Sequence, residues 1–480
     1  MSVTSLSRRD LFGLASAATA AAALPSVFLA PPAQAQSTAV QAEAGFAAGQ
    51  IDAAALVRSV ERAFAFQNLM MDAYATGTTV RLAQSYSDEA LGATAFTYDN
   101  AVSIHAYLAG GSAELLERAE VLGEGLLYAQ LNNFPVSDGR FAQAYFVNKA
   151  APSGTFITPA AAPFYFYTSA VGDQAWAGMA LAQLYLRTGK QRYLDGALLV
   201  ANWIVTNAYD TLGPGGYSFG TNINQNNVSV PSTNGKSTEH NIDTYAFFTM
   251  LSRLTKGGSA KNTMTWSALA EHALEFVAAM YNVAGPYFYT GTLGDKVTIN
   301  RSPIPEDCQT WSYMATLNNA WRGTIDWALR NLQTTDTAAA PHSSLTGSES
   351  IRGLVFDTAS LTTTADDPHA VWLEGTAHMS AALAARVLRG GDNIAQLFAD
   401  LSEALRLQRQ SERAQALLGL GKTVGGKPIP AGLGLVAATS ILDTGFGYTY
   451  GPSLHIGATG WYLIGALAAN PFQLGYRVVG

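Results

Sequence analysis

Apolar residues recur along this chain at helical spacing. Leu56, Val60, Ala63 and Phe64 share one helical face, as do Leu115, Ala119, Leu122, Leu126 and Ala129. Trp176, Met179, Ala180 and Leu184 form a third stripe that Gly189 ends, and Tyr193, Ala197, Val200, Ala201 and Ile204 form its returning partner. The pattern continues with Phe247, Phe248, Leu251 and Leu254, then Trp266, Leu269, Ala273 and Val277, and later Ile394, Leu397, Phe398, Leu401 and Leu405. Strand signal is sparse. Gly-, Asn- and Pro-rich stretches at 209–236 and 281–305 read as long loops with short hairpins such as Tyr217-Ser218-Phe219, and loops of that length commonly serve a site. Residues 334–347 are polar and read as exposed.

Six short polar motifs each open an apolar helical stretch. They are Tyr98-Asp99-Asn100, Gly172-Asp173-Gln174-Ala175-Trp176, Thr238-Glu239-His240-Asn241-Ile242-Asp243, Glu306-Asp307-Cys308-Gln309-Thr310-Trp311, Trp372-Leu373-Glu374-Gly375-Thr376 and His455-Ile456-Gly457-Ala458-Thr459. They repeat at intervals of roughly 65 to 85 residues, a long period but a period. Motif-bearing helices begin near 99, 173, 239, 310, 373 and 457, and plainer ones near 52, 113, 191, 262, 322 and 393. The two kinds alternate. This predicts an all-α fold, an (α/α)6 toroid of six inner and six outer helices, in which ring closure buries the face that each hairpin alone leaves open. The last motif helix then neighbours the first plain one, and carboxylates and aromatics from the same end of the inner helices converge on one cleft.

Ahead of the helices stands an address. Ser7-Arg8-Arg9-Asp10-Leu11-Phe12-Gly13 is a twin-arginine pattern, followed by an Ala-rich apolar run at 14–30, by Pro31-Pro32 and by small residues that suit a cut after Ala35. The run is too weakly apolar to be a good membrane span. The expected organisation is a signal peptide at 1–35, a flexible linker at 36–50 and a single catalytic domain at 51–480, delivered to the periplasm or outside the cell, with no membrane partner after signal removal. The single Cys308 agrees with export in the folded state, since one cysteine forms no intramolecular bridge.

Charged residues make up 13% of the chain, about half the usual share of roughly 25%. With 48% hydrophobic residues and no other long apolar run, this implies a large buried core. A net charge of −7 without a Lys/Arg cluster argues against nucleic acid as a partner. The 8 Trp and 21 Tyr suit a carbohydrate partner, because these rings lie flat on sugars and keep a polar edge for hydroxyls.

Glu239 and Asp243 are four apart and share a helical face, with Ser237 or Thr238 as the cap and Glu239 in the first turn. Capping accounts for a carboxylate at Glu239 but not for Asp243. Asp99 stands at another helix start beside Tyr98, Glu374 follows Trp372, and Asp307 precedes Trp311. An acid next to an aromatic at a helix mouth suits sugar chemistry. The seven histidines form no metal pattern, so His240, His378 and His455 read as wall residues, and no metal or cofactor is expected. The run at 416–423, Ala416 to Thr423, imitates a nucleotide-phosphate loop but follows a polar helical stretch and precedes Pro428 and Pro430, so it reads as a helix stop.

On Asp99, Gly172-Asp173-Gln174-Ala175-Trp176, Glu239-His240-Asn241-Ile242-Asp243 and Trp372-Leu373-Glu374-Gly375-Thr376, placed at the mouths of alternating helices, the chain resembles the six-hairpin glycosidase-like superfamily. The resemblance spans nearly the whole mature chain and implies an (α/α)6 toroid. Its members are commonly inverting glycoside hydrolases, with some glycan phosphorylases and polysaccharide lyases. Fold alone does not assign the reaction.

The leading expectation is an exported glycoside hydrolase acting by inversion, in which two carboxyl groups stand roughly 6.5 to 9.5 Å apart. Glu239 is expected as acid and Asp99 as base, with Asp243, Asp307 and Glu374 as substitutes. Trp176, Tyr217, Trp311 and Trp372 are the expected sugar platforms, and Tyr98, Gln174, His240 and His455 the other substrate-binding groups. Two alternatives stand beside it. A polysaccharide lyase on the same toroid uses His240 with Tyr98 or Tyr448 as base, and a non-catalytic glycan-binding protein uses the aromatics alone.

Overall fold

The computed structural model describes residues 53–476, apart from 76–79, 134, 148–167, 262 and 391–392. The expected signal peptide and linker lie outside the described residues. Twelve helices build the architecture: α1 (Ala53–Asp72), α2 (Thr97–Gly110), α3 (Ala113–Leu131), α4 (Val171–Thr188), α5 (Gln191–Ala208), α6 (Thr238–Leu254), α7 (Trp266–Ala279), α8 (Asp307–Thr316), α9 (Gly323–Asn331), α10 (Leu373–Arg389), α11 (Ile394–Leu417) and α12 (Ile456–Ala466). A single further turn, Asp88–Leu91, lies between α1 and α2.

The even-numbered helices form a closed inner ring, in which α2, α4, α6, α8, α10 and α12 each pack on the next and α12 returns to α2. Each pairs with the odd-numbered helix that follows it, and α12 pairs with α1, as expected for the last motif helix. This is the (α/α)6 toroid. The inner helices are buried on nearly every side, and even Thr97, Asn100, Gln174 and Thr244 are withdrawn from water. Outer helices expose one face, so their periodic stripes are the clearer ones in the sequence.

Helix starts and stops follow local chemistry. Ser112, Ser237, Thr265 and Asn393 accept backbone N–H groups from the first turns of α3, α6, α7 and α11. Gly189 ends α4 in the left-handed region at φ 67°, where a side chain would be strained. The helix α11 stops at Leu417, so the phosphate-loop imitation is a turn after a helix.

The long loops carry short antiparallel pairs at the cleft end. Within 209–236, the strands Gly220–Ile223 and Ser229–Pro231 join Ser169–Ala170 in a three-stranded sheet. Tyr217-Ser218-Phe219 is not a hairpin; Tyr217 makes only an isolated bridge to Tyr209. The reading of 334–347 as exposed holds for most of 339–347 but needs correction at Thr334 and Asp336. Gln333–Thr337 pairs with Ser350–Leu354, and Asp336 is buried, accepting hydrogen bonds from Ser343, Thr439 and Ser440 hydroxyls. Polar composition misled there because three hydroxyl donors satisfy the buried carboxylate.

Candidate active site

Each inner helix is tied to the loop strand before it by one side chain in its first turn. Asn100 accepts from Ala83 N at 2.8 Å and donates to Ala83 O at 3.2 Å. Gln174 does the same to Phe141 (2.7 and 3.0 Å), Asn241 to Tyr217 (2.8 and 3.1 Å) and Gln309 to Phe288 (2.8 and 3.0 Å). In the remaining two hairpins a hydroxyl substitutes, with Thr376 accepting from Leu354 N at 3.0 Å and Thr459 from Leu435 N at 2.9 Å. The six clamps set one common register around the ring. Gln174, expected to bind substrate, is buried and engaged in its clamp.

Two residues before each clamp come Tyr98, Gly172, Glu239, Asp307, Glu374 and Gly457; two residues after it come Val102, Trp176, Asp243, Trp311, His378 and Trp461. Members of the two rows on one helix are four apart and share its face. The deeper row closes the ring centre with an aromatic plug. Trp176 meets Trp311 at 5.2 Å and Trp461 at 5.6 Å between centroids, and Trp461 meets Trp311 at 5.7 Å and His378 at 4.3 Å. The upper row is the mouth. It gathers the motif acids as the motifs implied, and adds Asp173 and Asp99 one position further on.

The plug changes the reading of the expected platforms. Trp176, Trp311 and Trp372 are buried, and Tyr217 is buried with its hydroxyl donated to Leu269 O. None of these four offers a free ring face to a ligand. Trp176 and Trp311 lie on inner helices, which bury their aromatics as the floor of the toroid. His240 is buried too, with its ring 4.6 Å from Phe219. Tyr98 is partly exposed; its hydroxyl donates to Glu374 Oε1 at 2.5 Å and accepts from Trp461 Nε1 at 2.7 Å.

The acids divide into two electrostatic groups. On one side, loss of water and then the charges of Asp307, Asp173 and Glu374 hold the Glu239 carboxyl well above the usual range. Burial, then Glu239 and Asp307, do the same to Asp243, which is fully withdrawn from water and eased only by the Trp176 indole. Burial and the neighbouring Asp99 push Asp173 up to about 8. Asp307 is raised by burial, though Cys308 N donates to it at 2.5 Å. Glu239 and Asp173 are the partly exposed members, so of the raised carboxyls these two face the cleft.

On the other side are carboxyl groups with histidine partners. Burial alone would raise Glu374, but His378, His455 and Tyr98 outweigh it and hold this carboxylate below its usual value. His378 lies between Glu306 (Nδ1 to Oε2, 3.1 Å) and Glu374 (Nε2 to Oε1, 3.7 Å). Burial opposes its charge, yet the two carboxyls raise it to about 9, while burial lifts Glu306 to about 7. His455 Nδ1 accepts from Ala458 N at 3.2 Å, and its Nε2 stands 3.1 Å from Asp99 Oδ2. Tyr86 stacks on the His455 ring at 4.2 Å. Glu306, His378, Asp173 and Tyr86 were not among the expected site residues. The i, i+4 spacing of Glu374 and His378, and Asp173 inside its own motif, were the available signals.

Among the described residues no cluster of His, Cys, Asp and Glu fits a metal ion. Cys308 is buried, and burial with the charges of Asp307 and Glu239 pushes its thiol well above the usual range.

No protein-family model matches the chain, and no curated protein matches it in sequence. Solved structures do match. A family 76 glycoside hydrolase from a bovine Bacteroides thetaiotaomicron strain is 13% identical with a TM-score of 0.50, covering 85% of this chain and 77% of its own. A family 76 α-mannanase from Bacteroides thetaiotaomicron is 13% identical with a TM-score of 0.50, covering 86% and 95%. A cellobiose 2-epimerase from Bacillus thermoamylovorans is 10% identical with a TM-score of 0.52, covering 85% and 97%. The chain has the six-hairpin (α/α)6 fold. At these identities the likeness concerns the backbone, and the chemistry rests on the residues at the mouth.

Proposed function

We propose that the protein is an exported glycoside hydrolase that cleaves a neutral poly- or oligosaccharide by an inverting, two-carboxylate mechanism. The observation that carries this reading is the geometry of the mouth: Glu239 is partly exposed, with loss of water and the nearby Asp307 and Asp173 pushing its carboxyl up, while His455 stands 3.1 Å from Asp99 and His378 3.7 Å from Glu374. Hydrolysis with inversion needs that asymmetry: one carboxyl gives a proton to the departing glycosidic oxygen, and another takes a proton from the attacking water. Glu239 acts as the acid. Asp99 takes the water's proton as the water adds to the anomeric carbon from the opposite face. With Nδ1 of His455 occupied by the Ala458 N–H, its Nε2 is left to carry the proton toward Asp99. Asp173 supplies a second neutral carboxyl, and Tyr98 with Glu374 holds the wall between them.

The family 76 glycoside hydrolases among the structural neighbours support a glycoside as the substrate class. A lyase needs a cationic group to neutralise a uronate, and the upper row of the mouth holds no Arg or Lys. For export, the support is the twin-arginine pattern at Arg8-Arg9 together with a described part in which no helix is long and apolar enough to cross a membrane.

The test is product analysis of the mature protein against a panel of bacterial, fungal and plant glycans. New reducing ends whose first-formed anomer is inverted, followed by proton NMR, are expected. Unsaturated products absorbing ultraviolet light, or retention of the anomer, would overturn the mechanism.

A further inference from the structure

With Trp176, Trp311, Trp372 and Tyr217 buried, Tyr98 is the expected aromatic that keeps some exposure at the mouth, and its hydroxyl is committed to Glu374 and Trp461. An aromatic series elsewhere leads from the acids at the mouth to solvent. Trp372 is the residue that caps α10, two positions before Glu374. Its ring lies 4.7 Å from Phe356 and is stacked on Tyr450 at 6.2 Å and 11°. Phe356 in turn lies 6.4 Å from Tyr448 and 6.1 Å from Phe446, and Tyr450 meets Tyr448 edge-on at 5.8 Å. The inner end of this series is buried, while Tyr448 is 39% and Phe446 44% exposed.

The two exposed rings sit on the tip of a hairpin in which Leu442–Asp443 pairs with Thr449–Tyr450. The tip is built to a set shape. Thr444 Oγ1 donates to Tyr448 O at 2.6 Å, and Gly445 N donates to Asp443 Oδ1 at 2.9 Å. Gly445 has φ +71°, and a Cβ there would lie 2.8 Å from Asp357 Oδ2. Only glycine lets the tip press this closely on Asp357 and Ala359. Phe446 packs edge-on to Phe356 yet stays almost half in water on a pinned turn, which leaves an apolar ring open to a sugar face. Tyr448 is the nearer ring to the chemistry. Loss of water, then the charges of Glu239 and Asp307, hold its hydroxyl above the usual phenol range.

We infer that the hairpin at 442–450 is the sugar platform of the mouth, with Tyr448 stacking on the ring beside the bond that is cut and Phe446 on the next ring outward along a neutral glycan. The inference rests on the glycoside-hydrolase reading. It makes Phe446 and Tyr448 binding residues, not proton carriers, and it requires a chain of at least two sugars to be held on this side of the acids.

The test is affinity electrophoresis of the mature protein in native gels containing mannan, xylan, starch or mixed-linkage β-glucan, with reducing-end release measured on the same polysaccharides. Retardation of the wild type in at least one gel is expected. Phe446→Ala and Tyr448→Ala should weaken that retardation about tenfold, the scale of one lost aromatic stack. Tyr448→Phe and Phe446→Tyr, which keep the rings, should preserve it. If retardation is too weak to read while reducing ends appear, KM replaces it: a rise of about tenfold in the Ala variants at unchanged kcat supports the platform. Ala variants that melt like the wild type and bind or saturate equally well overturn the platform and leave the hydrolase reading standing. A wild type that neither binds nor releases reducing ends from any of the polysaccharides overturns both.

Discussion

Glu374 and His378 face each other across one turn of α10, with His378 Nε2 3.7 Å from Glu374 Oε1. The other ring nitrogen stands 3.1 Å from Glu306 Oε2, so one buried imidazole serves two buried carboxyls. The folded protein raises His378 from 6.5 to about 9. A base whose folded pKa is raised stabilises the fold fully below its unfolded value, here about 6.5, and loses that contribution as pH rises through about 9. Replacing His378 with Ala should cost about 3–5 kcal/mol at pH 6, the scale for removing one partner of a buried pair. Urea melts of the two proteins should converge toward pH 10. A gap that is constant from pH 6 to pH 10 would mean the histidine is neutral and acts through packing.

Asp173 titrates in the opposite sense to a salt-bridged acid. Its folded pKa is raised from 3.8 to about 8, so the neutral form is the one the fold favours. That contribution is complete below pH 3.8 and is lost as pH climbs toward about 8. Scanning calorimetry should show Tm falling between pH 5 and pH 8, and Asp173→Asn, which stays neutral, should flatten that slope. An equal slope in the variant would remove Asp173 from the account.

Glu239 and Asp99 should separate by leaving group. Glu239→Gln removes the proton donor at nearly constant shape, and turnover on natural glycans should drop by at least about 100-fold, the usual size of general acid catalysis. Nitrophenyl glycosides, if cleaved at all, need little protonation and should suffer less. Asp99→Asn should slow both substrate kinds alike, because water must be activated in either case. Unchanged turnover in Glu239→Gln would reduce Glu239 to a helix-start residue and pass the acid's role to Asp173.

The clamp at Asn241 ties the start of α6 to Tyr217 N and O. Asn241→Ala leaves both backbone groups buried without partners, at a cost of about 1–3 kcal/mol. Glu239 lies two residues away and depends on that register, so kcat should fall while the outer hairpins keep their protection in hydrogen exchange. A stability loss with full kcat would make the clamp purely structural.

Export depends on the arginine pair. Arg8→Lys with Arg9→Lys should retain the precursor in the cytoplasm, and the mature N-terminus should be Gln36 or close to it, read by mass spectrometry of the periplasmic fraction. Normal delivery of the double variant would contradict the twin-arginine route.

What the chain determines by itself is local. Apolar spacing at 3.6 residues per turn and the cap at Ser237 depend on near neighbours, so helix starts anticipated near 113, 191, 239 and 373 appear at Ala113, Gln191, Thr238 and Leu373. The alternation of motif-bearing and plain helices was enough to imply the ring, because an all-round apolar helix belongs inside and a one-sided helix outside. The acids Asp99, Glu239, Asp307 and Glu374 were legible as a set because each lies in the first turn of an inner helix, and Asp243, one turn deeper, was legible from its spacing to Glu239.

Only the tertiary structure decided how those residues are shared between floor and mouth. Trp176 and Trp311 are as aromatic in sequence as Tyr448 and Phe446, yet the ring turns the first pair into a plug and leaves the second pair in water. Protonation is likewise a property of the assembly. Glu239 and Glu374 are the same residue type at the same position of two helices, but one faces Asp307 and Asp173 while the other faces His378 and His455. His378 is local to Glu374, but Asp307, Asp173 and His455 come from other hairpins, and closure of the ring is what brings them together.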